Sequence, residues 1–274
     1  MNPHQAMQNN PNGTLSIAVF SGKGGVGKSS LSANLGFCLS ENGHRCLLMD
    51  CDLGLANLDV LLGISCDVTI QDLLGRDIPA ERLVQPVAPN LDLLPAASGV
   101  PELVEMDEDQ RGLLLKKLDS IISDYAFLIL DMAAGLNPTL LGMAGAATKR
   151  IVVLTPEPTS LTDAYAVIKV LSAKADIRDF LILVNQVANR EEAQTTHRRL
   201  DAAVEKFLGF KTHYLGMVRN DPNMGKAVAK QQALMRIAPK SPAAEDIRVL
   251  AERLQSLRAA LMPGLLDKPA LANF

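Results

Sequence analysis

Short apolar runs alternate along the chain with longer segments whose apolar residues recur every three or four positions. The runs fall at residues 15–20, 45–50, 90–95, 126–131, 151–155, 180–185 and 212–218. Their length and content suit strands buried on both faces. The helix-periodic segments lie at 30–42, 107–123, 138–147, 160–174, 190–208 and 243–261. This alternation predicts an α/β fold, a mostly parallel twisted sheet with helices on both faces. Ligands of such sheets bind beyond the carboxyl ends of the strands. No repeat, low-complexity block or linker interrupts the pattern.

The ends read differently. Residues 1–12, MNPHQAMQNNPN, are polar, lack the charged and apolar blocks of a signal peptide, and read as a disordered arm. Residues 13–262 read as one domain. Leu250, Leu254, Leu257 and Leu261 share one helical face, which reads as core packing. Pro263 and Gly264 are expected to stop that helix and leave 263–274 as a flexible tail. The tail lacks the basic face that an anionic membrane surface would select. No run approaches the roughly 20 apolar residues of a membrane span.

Residues 15–31, LSIAVFSGKGGVGKSSL, carry the strongest chemical signal. An apolar run is followed by Gly22, Lys23, Gly24, Gly25, Val26, Gly27, Lys28 and Ser29, which satisfy G-x-x-x-x-G-K-[ST], and Ser30 continues into a helical pattern. Strand, phosphate loop and helix stand in the order that a P-loop requires. Glycines let successive N–H groups turn toward phosphate oxygens, and the helix start adds a favourable dipole. Lys28 is placed to reach the β/γ-phosphates and Ser29 to hold Mg²⁺.

Two further strand ends carry carboxylates. In LMDCDLGLANLDVLLG, Asp50 closes a strand and Asp52 opens the following loop, a spacing suited to Mg²⁺ and to water beside phosphates. In AFLILDMAAG, four apolar residues end in Asp131, a Walker B pattern that touches Mg²⁺ through water. Gly135 gives the next segment freedom to move. Asn185 ends FLILVN, and Asp221 follows the strand before it in MVRND.

Composition narrows the field. The 274 residues hold 27 Lys and Arg against 30 Asp and Glu, a net charge of −3 that gives no case for bulk nucleic-acid binding. Cys38, Cys46, Cys51 and Cys66 show no C-x-x-C spacing, so a reducing cytoplasm fits. His4, His44, His197 and His213 are scattered, with no metal-ligand spacing.

The string KGGVGKS resembles the deviant Walker A motif of the MinD/ParA ATPases, whose extra lysine reaches across a dimer to the partner's nucleotide. The resemblance implies a P-loop NTPase fold and a homodimer that encloses ATP and Mg²⁺, with Lys23 acting in trans. D-x-D-x-G-L-x-N-L-D resembles switch I of that family, which implies that Asp52 orients the attacking water and Asp50 supports the metal's outer shell. It also assigns Asn185 to the adenine edge and Asp221 to the other side of the base. Met132 stands where the family usually has threonine. PAASG at 95–99, EPTSLTDAYAVIKVL at 157–171 and NMGKAVAKQQAL at 223–234 resemble the FlhG/FleN family of flagellar-number regulators. That resemblance implies an ATPase switch for flagellar number and placement. Its implied partners are the GTPase FlhF and a flagellar transcription activator. It also implies a cytoplasmic protein that visits the inner membrane or cell pole transiently. The D-Q-A-x-x-L-R element by which that family stimulates FlhF is reduced here to Gln5-Ala6. The alternatives are a MinD-like septum-site or ParA-like positioning ATPase, and a synthetase using the same loop. The first needs a stronger membrane helix, the second a basic DNA-binding face.

Overall fold

A computed structural model describes residues 12–52, 57–66, 68, 80–95, 118, 121–133 and 138–271. Its elements, in chain order, are β1 (Leu15–Ser21), α1 (Lys28–Glu41), β2 (Cys46–Cys51), α2 (Leu58–Leu62), β3 (Gln85–Ala88), β4 (Leu91–Leu94) and β5 (Phe127–Met132). There follow α3 (Pro138–Ala146), β6 (Lys149–Leu154), α4 (Pro158–Ala175), β7 (Leu181–Val187), α5 (Arg190–Leu208), β8 (His213–Arg219), α6 (Pro222–Ala229), α7 (Leu234–Ile237) and α8 (Pro242–Leu266). The sheet order is β3-β4-β2-β5-β1-β6-β7-β8, and every pairing is parallel except β3 with β4.

Side-chain alternation along the strands divides the interior into two cores. In β1, Ala18 and Phe20 join Leu47, Leu128 and Leu130 beneath α3, α4 and α5. Ile17 and Val19 point the other way and join Leu48 and Ile129 beneath α1, α7 and α8. Both sheet faces are thus covered, as the near-continuous apolar strands require. α1 lies between the sheet and α8, which is why every residue from Leu31 to Ser40 is buried.

All seven expected strands are present, and the sheet carries one more. β3 escapes a reading for apolar runs because it is four residues long, holds Pro86 and lies half-exposed at the sheet edge, where proline costs no ladder bond. The short helices α2, α6 and α7 are likewise new. Of the expected helix 107–123, most lies outside the described residues, as do residues 1–11, 96–99 of PAASG, and Gly135.

The carboxyl end corrects one expectation. α8 runs through Pro263 to Leu266 instead of stopping there. Pro263 and Gly264 are exposed, while Leu265 is buried, as are Ala270 and Leu271 beyond it. Ser16 Oγ donates to the Ala270 carbonyl at 2.6 Å. Burial of these side chains outweighs the hydrogen bond that proline removes from the helix. Leu250 and Leu254 are core residues, with Leu257 and Leu261 packed against the same cluster, as their spacing foretold.

Truncation after Met262 removes the buried Leu265 and Leu271 side chains and should cost about 3–5 kcal/mol. Denaturant unfolding of full-length and truncated chains measures this, and coincident midpoints would show that the tail contributes nothing.

Candidate functional site

The loop from Gly22 to Gly27 joins the carboxyl end of β1, near the centre of the sheet, to the first turn of α1. Gly25 and Gly27 have φ of +81° and +88°, a conformation that a side chain would strain. Gly22 is required for a different reason: a Cβ there would stand 2.2 Å from the Asp163 carbonyl carbon in α4. Around Gly24 there is open space.

Beneath the loop, Lys28 Nζ lies 2.9 Å from Asp131 Oδ1, both side chains being nearly out of solvent. The same oxygen accepts a 2.8 Å hydrogen bond from Ser32 Oγ. Lys28 Nζ also donates to Ser29 Oγ at 3.3 Å. Lys28, Ser29, Ser32 and Asp131 are therefore one connected group.

Asp50 and Asp131 are register partners on adjacent β2 and β5. Asp50 Oδ1 accepts the Asp52 N–H at 2.9 Å, and Oδ2 accepts the N–H groups of Asn57 and Leu58 at 2.8 and 3.0 Å. Burial pushes its carboxyl above the usual 3.8, these three bonds oppose the push, and the charge of Asp131 adds to it. Asp50 thus ties the start of α2 to the strand end. Asp52 is half-buried beside it.

Lys23 turns outward. Its Nζ meets Glu157 Oε2 at 2.9 Å and Thr159 Oγ1 at 3.5 Å, at the start of α4. The pair is exposed, so it contributes at most about 1 kcal/mol and opens readily.

Asn185 is buried, and its Nδ2 donates to the Val26 carbonyl at 2.7 Å. Asp221 caps α6. Its Oδ1 accepts from the Asn223 N–H at 2.9 Å and its Oδ2 from the Ala243 N–H at 3.2 Å, joining α6 to α8. Burial pushes this carboxyl up, but hydrogen bonds from Ser241, Asn223 and Ala243 hold it below 3.8.

Sequence reasoning passed over Ser32, Glu157 and Gln186. Ser32 stands four residues after Lys28, on the same helical face, and that spacing was the available signal. Glu157 follows β6 and Gln186 lies near the end of β7, across β1 from Asp131. Glu157 opens the EPTSLTDAYAVIKVL string, whose resemblance gave it no role of its own, and no local pattern marks Gln186. A cavity of about 560 Å³ lies elsewhere, between β7, α5, β8 and α8, and none of the candidate site residues lines it. Among the described residues no cluster of three or more His, Cys, Asp or Glu forms a metal site by itself. No helix among these residues is long and apolar enough to cross a membrane.

Residues 17–234 match the model of the CobQ/CobB/MinD/ParA nucleotide-binding domain. The chain belongs to this family. It is 34% identical to the antiactivator FleN of Pseudomonas aeruginosa over 240 residues, 88% of this chain and 86% of that one. It is 32% identical to the flagellum site-determining protein YlxH of Helicobacter pylori, over 98% of this chain and 90% of that one. The septum site-determining protein MinD of Pyrococcus horikoshii, solved with Mg-ADP, superposes with a TM-score of 0.73 at 26% identity, covering 90% of this chain and 98% of that one. The loop from Gly22 to Gly27 and α1 lie within the matched span.

Gly22→Ala should lower stability by about 1–3 kcal/mol, because the new methyl meets backbone. Gly24→Ala should change it by less than about 0.5 kcal/mol. Equal denaturation midpoints for the two variants would contradict the loop geometry.

Proposed function

We propose that this chain is an ATP-gated dimerising switch of the FlhG/FleN type that governs flagellar number and placement. The observation that carries this reading is the division of labour between the two loop lysines. Lys28 is turned into the group of Ser29, Ser32 and Asp131, where α1 meets the end of β5, whereas Lys23 lies outside it on Glu157. A second cation in a phosphate loop that does not face its own site is placed to serve a neighbouring copy. Similarity to FleN and YlxH across most of both lengths supports the flagellar assignment.

In this reading Lys28 and the loop N–H groups hold the triphosphate. Ser29 and Asp131 supply oxygens for Mg²⁺, directly or through water, and the bound cation neutralises charge on the β/γ-phosphates. Asp50 holds the Asp52 loop and α2 in register with that group. Lys23 leaves Glu157 to stabilise charge on the partner copy's transferred phosphoryl group, as an arginine finger does elsewhere. Asp52 holds the attacking water in line. Asn185 and Asp221 border the base. The output is the dimer, read by FlhF and a flagellar transcription activator; hydrolysis to ADP and phosphate ends the signal.

Lys28→Ala should abolish ATP binding. Lys23→Ala should bind ATP but remain monomeric. Asp52→Ala should bind and dimerise while hydrolysis falls by roughly 10²-fold. Titration calorimetry, light scattering and phosphate release measure the three together. A normal ATP-dependent dimer of Lys23→Ala would remove the switch reading. Recovery of DNA or anionic vesicles with the ATP form, and of no flagellar partner, would favour the ParA-like or MinD-like alternative.

A further inference from the structure

β7 breaks its own alternation where it passes the P-loop. Asn185 pairs with Val218 and Val187 with Arg219, so Gln186 is one residue too many on its strand. Its φ is +57°, the left-handed region that a residue other than glycine enters at a cost. In a regular strand, adjacent side chains point to opposite faces. Here both reach the same loop. Asn185 Nδ2 donates to the Val26 carbonyl at 2.7 Å, and Gln186 Nε2 donates to the Gly25 carbonyl at 3.3 Å.

Two consecutive P-loop carbonyls are thus held by two consecutive amides. In a trans peptide the C=O and the N–H of the same unit point in opposite directions. Fixing the Gly25 carbonyl fixes the Val26 N–H, and fixing the Val26 carbonyl fixes the Gly27 N–H. Gly25 and Gly27 have no side chain to restrict their peptides, so the loop cannot set these directions alone. The left-handed turn at Gln186 lets one strand end hold both. The geometry points to Gln186 as a positioning residue for phosphate binding, acting through the backbone N–H groups of Val26 and Gly27 and not through contact with the nucleotide.

This inference rests on the nucleotide reading above, and the test separates the two. Gln186→Gly removes the amide and suits the φ. Its affinity for ATP should fall about fivefold, the loss of one ordinary hydrogen bond. Its affinity for GTP, read by competition against a fluorescent nucleotide, should fall by the same factor. The melting temperature should hold or rise, because strain is relieved, and the Val26 amide should exchange with solvent faster. Gln186→Glu, which sets an acceptor against the Gly25 carbonyl, should weaken ATP further than Gln186→Gly. Unchanged ATP affinity in Gln186→Gly would overturn the positioning role, as would a changed ATP-to-GTP ratio, which would mean that Gln186 reads the base. Wild-type protein that binds no nucleotide, or Lys28→Ala that still does, would overturn the nucleotide reading itself.

Discussion

Two buried carboxylates standing side by side constrain the site. Parallel pairing of β2 with β5 places Asp50 opposite Asp131, each about 2% exposed. Like charges so placed, out of water, are stable only if each finds its own counter-charge or donors. They are satisfied in different ways. Asp131 takes the Lys28 ammonium and the Ser32 hydroxyl. Asp50 takes three backbone N–H groups from the loop and helix that follow it. The first arrangement is an ion pair that a competing anion and cation can divide between them. The second is a set of hydrogen bonds that anchors a segment.

That difference orders the parts around it. In the function proposed above, a phosphate entering the loop would offer Lys28 a second anionic partner and leave Asp131 to face the accompanying metal. Asp50, already saturated, keeps Asp52 and the start of α2 where they are. On the other side of the loop, Asn185 and Gln186 hold the carbonyls of Val26 and Gly25. Lys23, held by an exposed pair with Glu157, is the least anchored of the cations at the loop and the one free to change partners at little cost.

Much of this was legible from the order of residues along the chain. Strand runs, the glycine spacing, and carboxylates at the ends of β2 and β5 are local patterns, and local patterns survive into the fold. What could not be read depends on pairings between distant segments. Lys23 and Glu157 are 134 residues apart, and Asn185 and Val26 are 159 apart. No periodicity reports such neighbours. β3 was hidden by Pro86, a residue admitted because the strand is an edge. The run of α8 past Pro263 was hidden because proline's cost is local, whereas the burial of Leu265 and Leu271 that offsets it is not.

The most direct measurement is a crystal structure with Mg²⁺ and a non-hydrolysable ATP analogue. The account predicts Lys28 Nζ on a β- or γ-phosphate oxygen and no longer on Asp131. Asp131 should face the metal through water, and Asp50 should still bind the N–H groups of Asp52, Asn57 and Leu58. A nucleotide bound with the Lys28–Asp131 pair intact, or one bound away from the loop, would contradict it.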